Sequence, residues 1–259
     1  MPEHPVNPEP DNDDEPVGHV LSRREIIKLL GAGGGLAASG FAGLQIANAQ
    51  PGGAGAPSSS ISLPGCVARP AQTEGPYFVD EKLNRSDIRS DPGTKAISSG
   101  VPLRIKFVVS TVGKTCAALS GALVDVWHCD AAGRYSDQGQ NNTVGQKFLR
   151  GSQLTDAKGV AQFLTVYPGW YPGRTVHIHF KIRLLSGSNV THEFTSQLFF
   201  DDAFTDKVFK QTPYSSRGAR SQRNNNDGIF GNGGNQLMLE VKQDGAGYAG
   251  TFDIGMNIT

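Results

Sequence analysis

Alternation of apolar and polar residues is the clearest pattern along this chain. From Val176 to Ile182 every second residue is apolar, and His177, His179 and Lys181 occupy the positions between them. A period of two is typical of a β-strand, whose successive side chains point to opposite faces. The pattern predicts a strand with one buried apolar face and one polar face, from which two imidazoles project together.

Other segments of the chain also have strand-like composition. They are rich in apolar and β-branched residues and end at turn residues: 103–109, 122–127, 151–155, 160–167, 193–200, 236–242 and 248–254. Only 202–210 predicts a helix, because Phe204 and Val208 lie four residues apart after a capping Asp. This composition predicts an all-β protein, an antiparallel β-sandwich with little helix and long loops. Segment 214–235 is rich in Ser, Arg, Asn and Gly, and this composition predicts a long surface loop.

The beginning of the chain has the composition of an export signal. Residues 1–18 are rich in Pro, Asp, Glu and Asn, and they cannot bury a core. The paired Arg23 and Arg24 precede a Gly- and Ala-rich apolar run that ends in Ala-Asn-Ala at Ala49. Residues 1–49 therefore predict a disordered extension followed by a twin-arginine signal peptide, cleaved after its last alanine.

An uncleaved membrane anchor is the alternative interpretation of the apolar run. Glycines dilute the run, and its small-residue end is typical of a cleavage site. Residues 50–62 contain mainly Gly, Pro, Ala and Ser and predict a flexible linker, so we expect one folded domain at 63–259. We expect the chain to engage the twin-arginine export machinery and to function in the periplasm or outside the cell.

Charge and cysteine content narrow the class of protein further. The formal net charge is zero, and the only basic grouping beyond the signal is a loose trio, Arg217, Arg220 and Arg223. Nucleic acid is therefore not an expected partner. The three cysteines, Cys66, Cys116 and Cys129, lack zinc-site spacing, and their odd number predicts one disulfide and one free thiol. Cys66 and Cys116 are the candidate pair, and Cys129 is the candidate buried thiol.

The histidine pair follows a loop that is able to bring a third donor to it. Prolines and glycines at 168–173 predict a sharply bent loop, which would turn Tyr171 towards His177 and His179. This arrangement suggests a metal pocket. The simpler alternative is that both histidines are ordinary polar side chains on the wetter face of a strand.

Four motifs together resemble one family. A strand at 121–127 runs into a glycine-containing bend, and Tyr135 follows it. This motif, together with 73–78 (TEGPYF), 168–172 (PGWYP) and 174–180 (RTVHIHF), resembles the intradiol ring-cleavage dioxygenases. The resemblance covers most of 73–200, in the order found in that family.

The resemblance implies a metal centre and a set of substrate contacts. Its metal would be one non-haem ferric ion per chain, with dioxygen as co-substrate, and the matching ligand positions are Tyr135, Tyr171, His177 and His179. Tyr171 would also leave the metal and accept a substrate proton. Arg174 and Gln197 match residues that face the substrate and assist catalysis, and Tyr77 matches an aromatic residue at the mouth of the site.

The residue types agree with this chemistry. A tyrosine ionises near pH 10 in water, but a trivalent cation stabilises the phenolate and lowers that pKa. Ferrous sites that activate dioxygen directly use two histidines and one carboxylate instead. The expected reaction is therefore cleavage of a catechol-type diol between its two hydroxylated carbons, as in aromatic catabolism.

The resemblance has limits, and two other classes of protein remain as alternatives. The segment between Tyr171 and His177 is shorter than in protocatechuate enzymes, and nothing before Leu63 resembles the helical domain of catechol enzymes, so the sequence leaves the substrate and any homo-oligomer open. An exported β-sandwich that only binds a ligand would use Trp127, Trp170 and Tyr167 as a platform, unless these residues simply belong to the core. A zinc hydrolase fits less well, because no Asp or Glu lies near the histidine pair.

Overall fold

Strands form most of the regular structure in the computed structural model, which describes residues 67–113 and 116–258. The strands of the described residues are β1 (Pro102–Thr111), β2 (Leu123–Trp127), β3 (Arg150–Leu154), β4 (Val160–Val166), β5 (His177–Ser186), β6 (Asn189–Phe199), β7 (Val241–Asp244) and β8 (Gly247–Met256). They form two four-stranded sheets with the orders β4-β1-β8-β7 and β3-β2-β5-β6. The predicted all-β class with little helix is confirmed.

One strand pair departs from the antiparallel expectation. Strands β1 and β8 run parallel, with Leu103 opposite Tyr248 and Thr111 opposite Met256, while the other pairs of named strands are antiparallel. A tight hairpin forces antiparallel pairing, but β1 and β8 are separated by almost the whole domain, so no short connection limits their direction.

Aromatic residues from both sheets meet in the core. Phe180 on β5 lies 5.2 Å from Phe107 on β1 and 5.6 Å from Phe252 on β8, measured between ring centroids. All three side chains are buried. The apolar face predicted for β5 therefore packs between the sheets, as its alternation requires.

The polar face of β5 is also buried, which corrects the expectation of a wetter face. His177, His179 and Lys181 are 2%, 1% and 5% exposed. The segment 73–80 covers them: a Cβ at Gly75 would lie 3.3 Å from His179 Cε1, and Lys181 Nζ lies 4.3 Å from the Phe78 ring centroid. Buried polar groups need hydrogen-bond, ionic or metal partners, and the two histidines find theirs in the candidate metal centre.

The predicted helix is present, but the strand predicted at 236–242 is not. Helix α1 (Asp202–Val208) begins after Asp201, whose side chain accepts a hydrogen bond from Phe204 N. Residues Gly234–Gln236 form a 3₁₀ turn, and β7 begins only at Val241. The apolar residues between them pair with the end of β6 instead, where Leu239 N donates to Phe199 O at 2.8 Å.

The segment predicted as a long surface loop is anchored in the core. It contains 3₁₀ turns at Tyr214–Arg217 and Asn224–Asn226 and a short helix, α2 (Gly228–Gly231); a further 3₁₀ turn lies at Gly139–Asn141. Tyr214 and Asp227 are buried, and Tyr214 Oη donates to Tyr167 O at 2.6 Å. The surface-loop prediction is therefore wrong at these two positions, because tertiary partners hold them inside.

The two described cysteines differ in their bonding. Cys116 is disulfide-bonded, and Cys129 is free and buried, which raises the pKa of its thiol to about 12. Cys66, the signal at 1–49 and the linker at 50–62 lie outside the described residues. Among residues 67–113 and 116–258, none of the helices has the length and apolar content needed to span a bilayer.

Candidate metal centre

Four predicted donor side chains converge at the start of β5. His177 Nε2 lies 3.0 Å from His179 Nε2, 3.1 Å from Tyr171 Oη and 3.4 Å from Tyr135 Oη. The structure thus brings together the two phenols and two imidazoles that the sequence singled out. Within the part of the chain that the structure describes, none of these four side chains bonds to a carboxylate, so the cluster is a set of neutral donors facing one another.

Backbone and ring contacts orient the two imidazoles. His177 Nδ1 lies 2.6 Å from Thr175 O, an acceptor that places the proton on Nδ1 and leaves Nε2 with its lone pair. His179 is the register neighbour of Trp127 across β2 and β5, and their rings stack at 5.1 Å with an angle of 9° between planes. Both Nε2 atoms therefore point into the same small space.

Close packing of two loops brings the phenols to the imidazoles. Gly133, at φ 79°, is where the loop after β2 touches the loop after β4, and a Cβ there would collide with Trp170 O. Tyr135 follows that glycine, and Tyr171 follows Trp170. Glycine is required here both for its positive φ and for the close approach of the two backbones.

Local hydrogen bonds fix the backbone of Tyr135. Its N–H donates to Asn141 Oδ1 at 2.8 Å, and its carbonyl accepts from Thr143 Oγ1 at 2.6 Å. The ring also stacks against Tyr77, with centroids 4.2 Å apart. Tyr135 is therefore held by the loop 136–143 on one side and by the segment 73–80 on the other.

Burial keeps all four donors neutral in the protein as it stands. It raises the pKa of the Tyr135 and Tyr171 phenols and lowers the pKa of the His177 and His179 imidazoles well below their usual range. The positive charge of Arg174 opposes burial at Tyr171, since it favours the phenolate. Buried neutral imidazoles carry the lone pairs that metal ions bind.

The donor set fits a metal ion. Ligands about 2.0–2.2 Å from one metal at ordinary coordination angles are themselves separated by about 3–3.5 Å, which is the spacing found here. A bound trivalent cation would reverse the effect of burial on the phenols and stabilise phenolate. Across the described ranges, no group of three or more His, Cys, Asp or Glu side chains could hold a metal ion, so phenols distinguish this candidate centre.

Arg174 and Gln197 lie beside the donors, as the sequence predicted. Arg174 Nη2 donates to Gln197 Oε1 at 2.7 Å, and Gln197 Nε2 donates to Thr73 O at 3.0 Å. Gln197 is the register neighbour of His179 on β6, so the sheet itself sets its position. On the other side, Arg174 Nε donates to Asp227 Oδ2 at 2.9 Å.

Tyr77 lies against the two phenol donors. Besides its stack on Tyr135, its ring lies 6.2 Å from the Tyr171 ring, edge to face. Its carbonyl accepts from Arg150 Nη1 at 2.6 Å, and its hydroxyl accepts from Gln140 Nε2 at 2.9 Å. This position is compatible with the role predicted for it at the mouth of the site.

Sequence reasoning missed several residues that hold the site together: Thr73, Trp127 as a stacking partner, Arg150, Thr175 and Asp227. Arg150 is buried, and its guanidinium bonds both Ser136, next to a phenol donor, and the Tyr77 carbonyl. Asp227 precedes a helical turn, which identifies it as a capping residue but not as a partner of Arg174, 53 residues away. Apart from Thr175, which contacts His177 two residues later, these residues have partners far away in the chain, so no local signal exposes them.

Comparison with known proteins gives consistent results. A family model described as Dioxygenase matches residues 73–228. The protocatechuate 3,4-dioxygenase beta chain of Burkholderia cepacia is 32% identical over 157 residues, which cover 55% of this chain and 65% of that protein. The chain spans less than two-thirds of the length of the curated relatives it matches.

Solved structures extend the likeness to the fold. An intradiol ring-cleavage dioxygenase from Tetranychus urticae matches with 30% identity and a TM-score of 0.64, covering 74% of this chain and 96% of that chain. The dioxygenase domain of a dioxygenase carbohydrate-binding protein fusion from Streptomyces sp. SirexAA-E matches with 31% identity and a TM-score of 0.54, covering 74% of this chain and 100% of that chain.

Proposed function

This chain belongs to the intradiol ring-cleavage dioxygenase family, and from that membership we propose that it cleaves a catechol-type diol between its two hydroxylated carbons. The observation that carries the proposal is the convergence of two phenol oxygens and a second imidazole nitrogen within 3.4 Å of His177 Nε2. Ligand-binding modules and zinc hydrolases, the two alternatives, have no need of that donor set.

Tyr135, Tyr171, His177 and His179 would hold one ferric ion. When bound, it would act as a Lewis acid for the diol and make the ring reactive towards dioxygen. Phenolate ligands favour the ferric state because their negative charge compensates the higher charge of the metal. Both atoms of dioxygen would enter the product, so that catechol and dioxygen give cis,cis-muconic acid without any other reactant.

Tyr171 is the ligand best placed to move a proton. It lies in the Pro- and Gly-rich loop, is only half-buried, and has no described hydrogen bond outside the donor cluster. Burial raises the pKa of its phenol, so a Tyr171 phenolate in this site would be a strong base. We assign to its Oη the acceptance of one diol proton.

Arg174 and Gln197 would act on the bound diol. The guanidinium is planar and always charged, and it would stabilise negative charge that develops on the ring during cleavage. Gln197 holds one edge of that guanidinium and is itself held by Thr73 O. Tyr77, stacked on Tyr135, would form one wall of the pocket and exclude water from that side.

The test combines metal content, colour and products. Purified protein should contain about one iron per chain and be red-brown, because phenolate-to-ferric charge transfer absorbs visible light. It should then be incubated with catechol, protocatechuate, hydroxyquinol and chlorinated or alkylated catechols, with products identified by mass and ultraviolet spectrum. A muconate-type dicarboxylate is the expected product. A yellow semialdehyde, formed by cleavage beside the diol, would contradict the proposal.

Export by the twin-arginine route is a separate part of the proposal. The Arg23-Arg24 pair ahead of an apolar run and the disulfide-bonded Cys116 support it, since disulfides persist in oxidising compartments. Replacing both arginines with lysine should retain the precursor inside the cell. Unchanged export of that variant would refute the twin-arginine assignment.

A further inference from the structure

Asp227 is a buried carboxylate that connects the segment 214–235 to the metal centre. Its side chain is 1% exposed. Oδ2 accepts from Arg174 Nε at 2.9 Å and from Thr175 N at 2.7 Å, and Oδ1 accepts from Phe230 N at 2.8 Å. The proposed reaction assigns no role to this residue. Three donors on one carboxylate make it a rigid junction.

The first arm of the junction fixes the guanidinium of Arg174. Asp227 holds the Nε edge, and Gln197 Oε1 accepts from Nη2 at 2.7 Å. A guanidinium carries its five N–H groups in one plane, so two contacts at different edges fix the orientation of that plane. Within the described residues Nη1 makes no hydrogen bond, which leaves its donors for a bound ligand.

The second arm leads to a donor of the metal centre. The same Oδ2 that holds Arg174 accepts from the backbone N–H of Thr175. The carbonyl of Thr175 lies 2.6 Å from His177 Nδ1 and thereby sets the tautomer and the orientation of that imidazole. A shift of the Thr175 peptide would move His177 Nε2 relative to the other donors.

We infer that Asp227 is a positioning residue for diol cleavage, which holds the guanidinium of Arg174 and the Thr175–His177 turn in fixed relation to each other. The inference rests on the proposed function, because it assigns Arg174 to the bound diol. The competing explanation is that Asp227 only caps helix α2, since its Oδ1 accepts from the third residue after it.

The variant Asp227→Asn separates these two explanations. Asparagine keeps one oxygen for the cap at Phe230 N, and its amide NH2 then faces Arg174 Nε and Thr175 N, from which it cannot accept a hydrogen bond. The chain offers a matched control in Asp201→Asn. Asp201 also caps a short helix through the third residue after it, Phe204, but makes no described contact with Arg174 or Thr175.

Kinetics of the iron-loaded full chain with catechol are the first readout. We expect kcat of Asp227→Asn to fall about 10- to 100-fold, with KM changed less than about threefold, because small misplacements of a catalytic group cost rate rather than binding. Asp201→Asn should keep the wild-type kcat. In an Arg174→Lys background, adding Asp227→Asn should lower kcat by a smaller factor than it does in the wild-type background, since one of the two groups that it positions is already altered.

Hydrogen–deuterium exchange of the full chain is the second readout, and it needs no turnover. The amide of Thr175 should exchange at least about tenfold faster in Asp227→Asn and at the wild-type rate in Asp201→Asn. If the wild-type chain cleaves no diol, the proposed function fails, while the exchange result still decides whether Asp227 holds this turn.

Two outcomes would overturn the inference. One is wild-type kcat with wild-type exchange in Asp227→Asn; the other is a full, additive loss of kcat in the Arg174→Lys background. Should Asp227→Asn fail to fold, Asp227→Glu gives the same comparison, because it keeps the charge opposite Arg174 and displaces the carboxylate by one methylene. It should bind iron and lose kcat, and a wild-type kcat would refute the positioning role.

Discussion

The two halves of the buried polar face of β5 satisfy their side chains in different ways. Lys181 contacts Glu74 and Glu193, and Arg183 contacts Asp80 and Asp125, so each cation in this half has carboxylates from the protein. His177 and His179, four and two residues earlier than Lys181, face each other through their Nε2 atoms, and His177 Nε2 also faces the phenols.

The difference shows how one strand face serves two purposes. A buried ion pair that is fully partnered is complete without any ligand. Four neutral metal-binding groups that face one another do not satisfy all of their polar atoms in this way. His179 Nδ1 is buried and has no hydrogen-bond partner within the described residues. Buried polar groups without partners are a feature of functional sites. Substitutions in the two halves should therefore have different consequences.

The largest effect is expected in the imidazole half. His179→Ala, or His177→Ala, should lose nearly all bound iron together with the red-brown colour and activity, because each removes one of four protein donors. Metal analysis and visible absorption measure this. Lys181→Met, on the same strand face two residues away, is the matched control and should keep its iron. Full iron occupancy and turnover in either histidine variant would contradict the ligand assignment.

The next effect is expected in the ion-pair half, and it concerns stability rather than metal. Lys181→Met should lower the free energy of unfolding by about 3 kcal/mol, because it leaves two carboxylates without their buried cation. This is the lower end of the usual range, since Glu74 and Glu193 remain partly exposed and can be hydrated. Chemical unfolding at neutral pH measures it. An unchanged unfolding free energy would mean that these pairs contribute nothing.

The smallest effect is expected at the exposed end of the same half. The hydrogen bond from Arg183 lowers the pKa of Asp80 below its usual value, so Asp80 stabilises the fold above the unfolded pKa of about 3.9 and loses that contribution as pH falls through the folded pKa. Asp80→Asn should cost less than about 1 kcal/mol at pH 7. The difference from wild type should shrink as pH falls below about 3.9 and vanish once the pH is below the folded pKa; a difference that stays constant through this range would contradict this assignment.

The predictable part of the fold and site depends on neighbours along the chain. The period-two pattern of β5 placed His177 and His179 on one face, and the capping Asp indicated α1, because both signals are local. The strand predicted at 236–242 failed because Leu237 and Leu239 pair with Phe199 rather than extending β7. A run of apolar residues indicates that a segment is buried, but it does not indicate which other segment it packs against.

The sequence by itself determined the fold class and the identity of the candidate donors. Strand periodicity placed His177 and His179 on one face, the Pro- and Gly-rich loop indicated Tyr171, and the family resemblance of a few short motifs added Tyr135 as a candidate donor. Tertiary structure alone decided that the polar face of β5 is buried, that Arg174 lies between Gln197 and Asp227, and that Asp227 is inside rather than on a surface loop. Those facts depend on contacts between residues tens of positions apart, and the energy of burying a charge is defined only once its partner is in place.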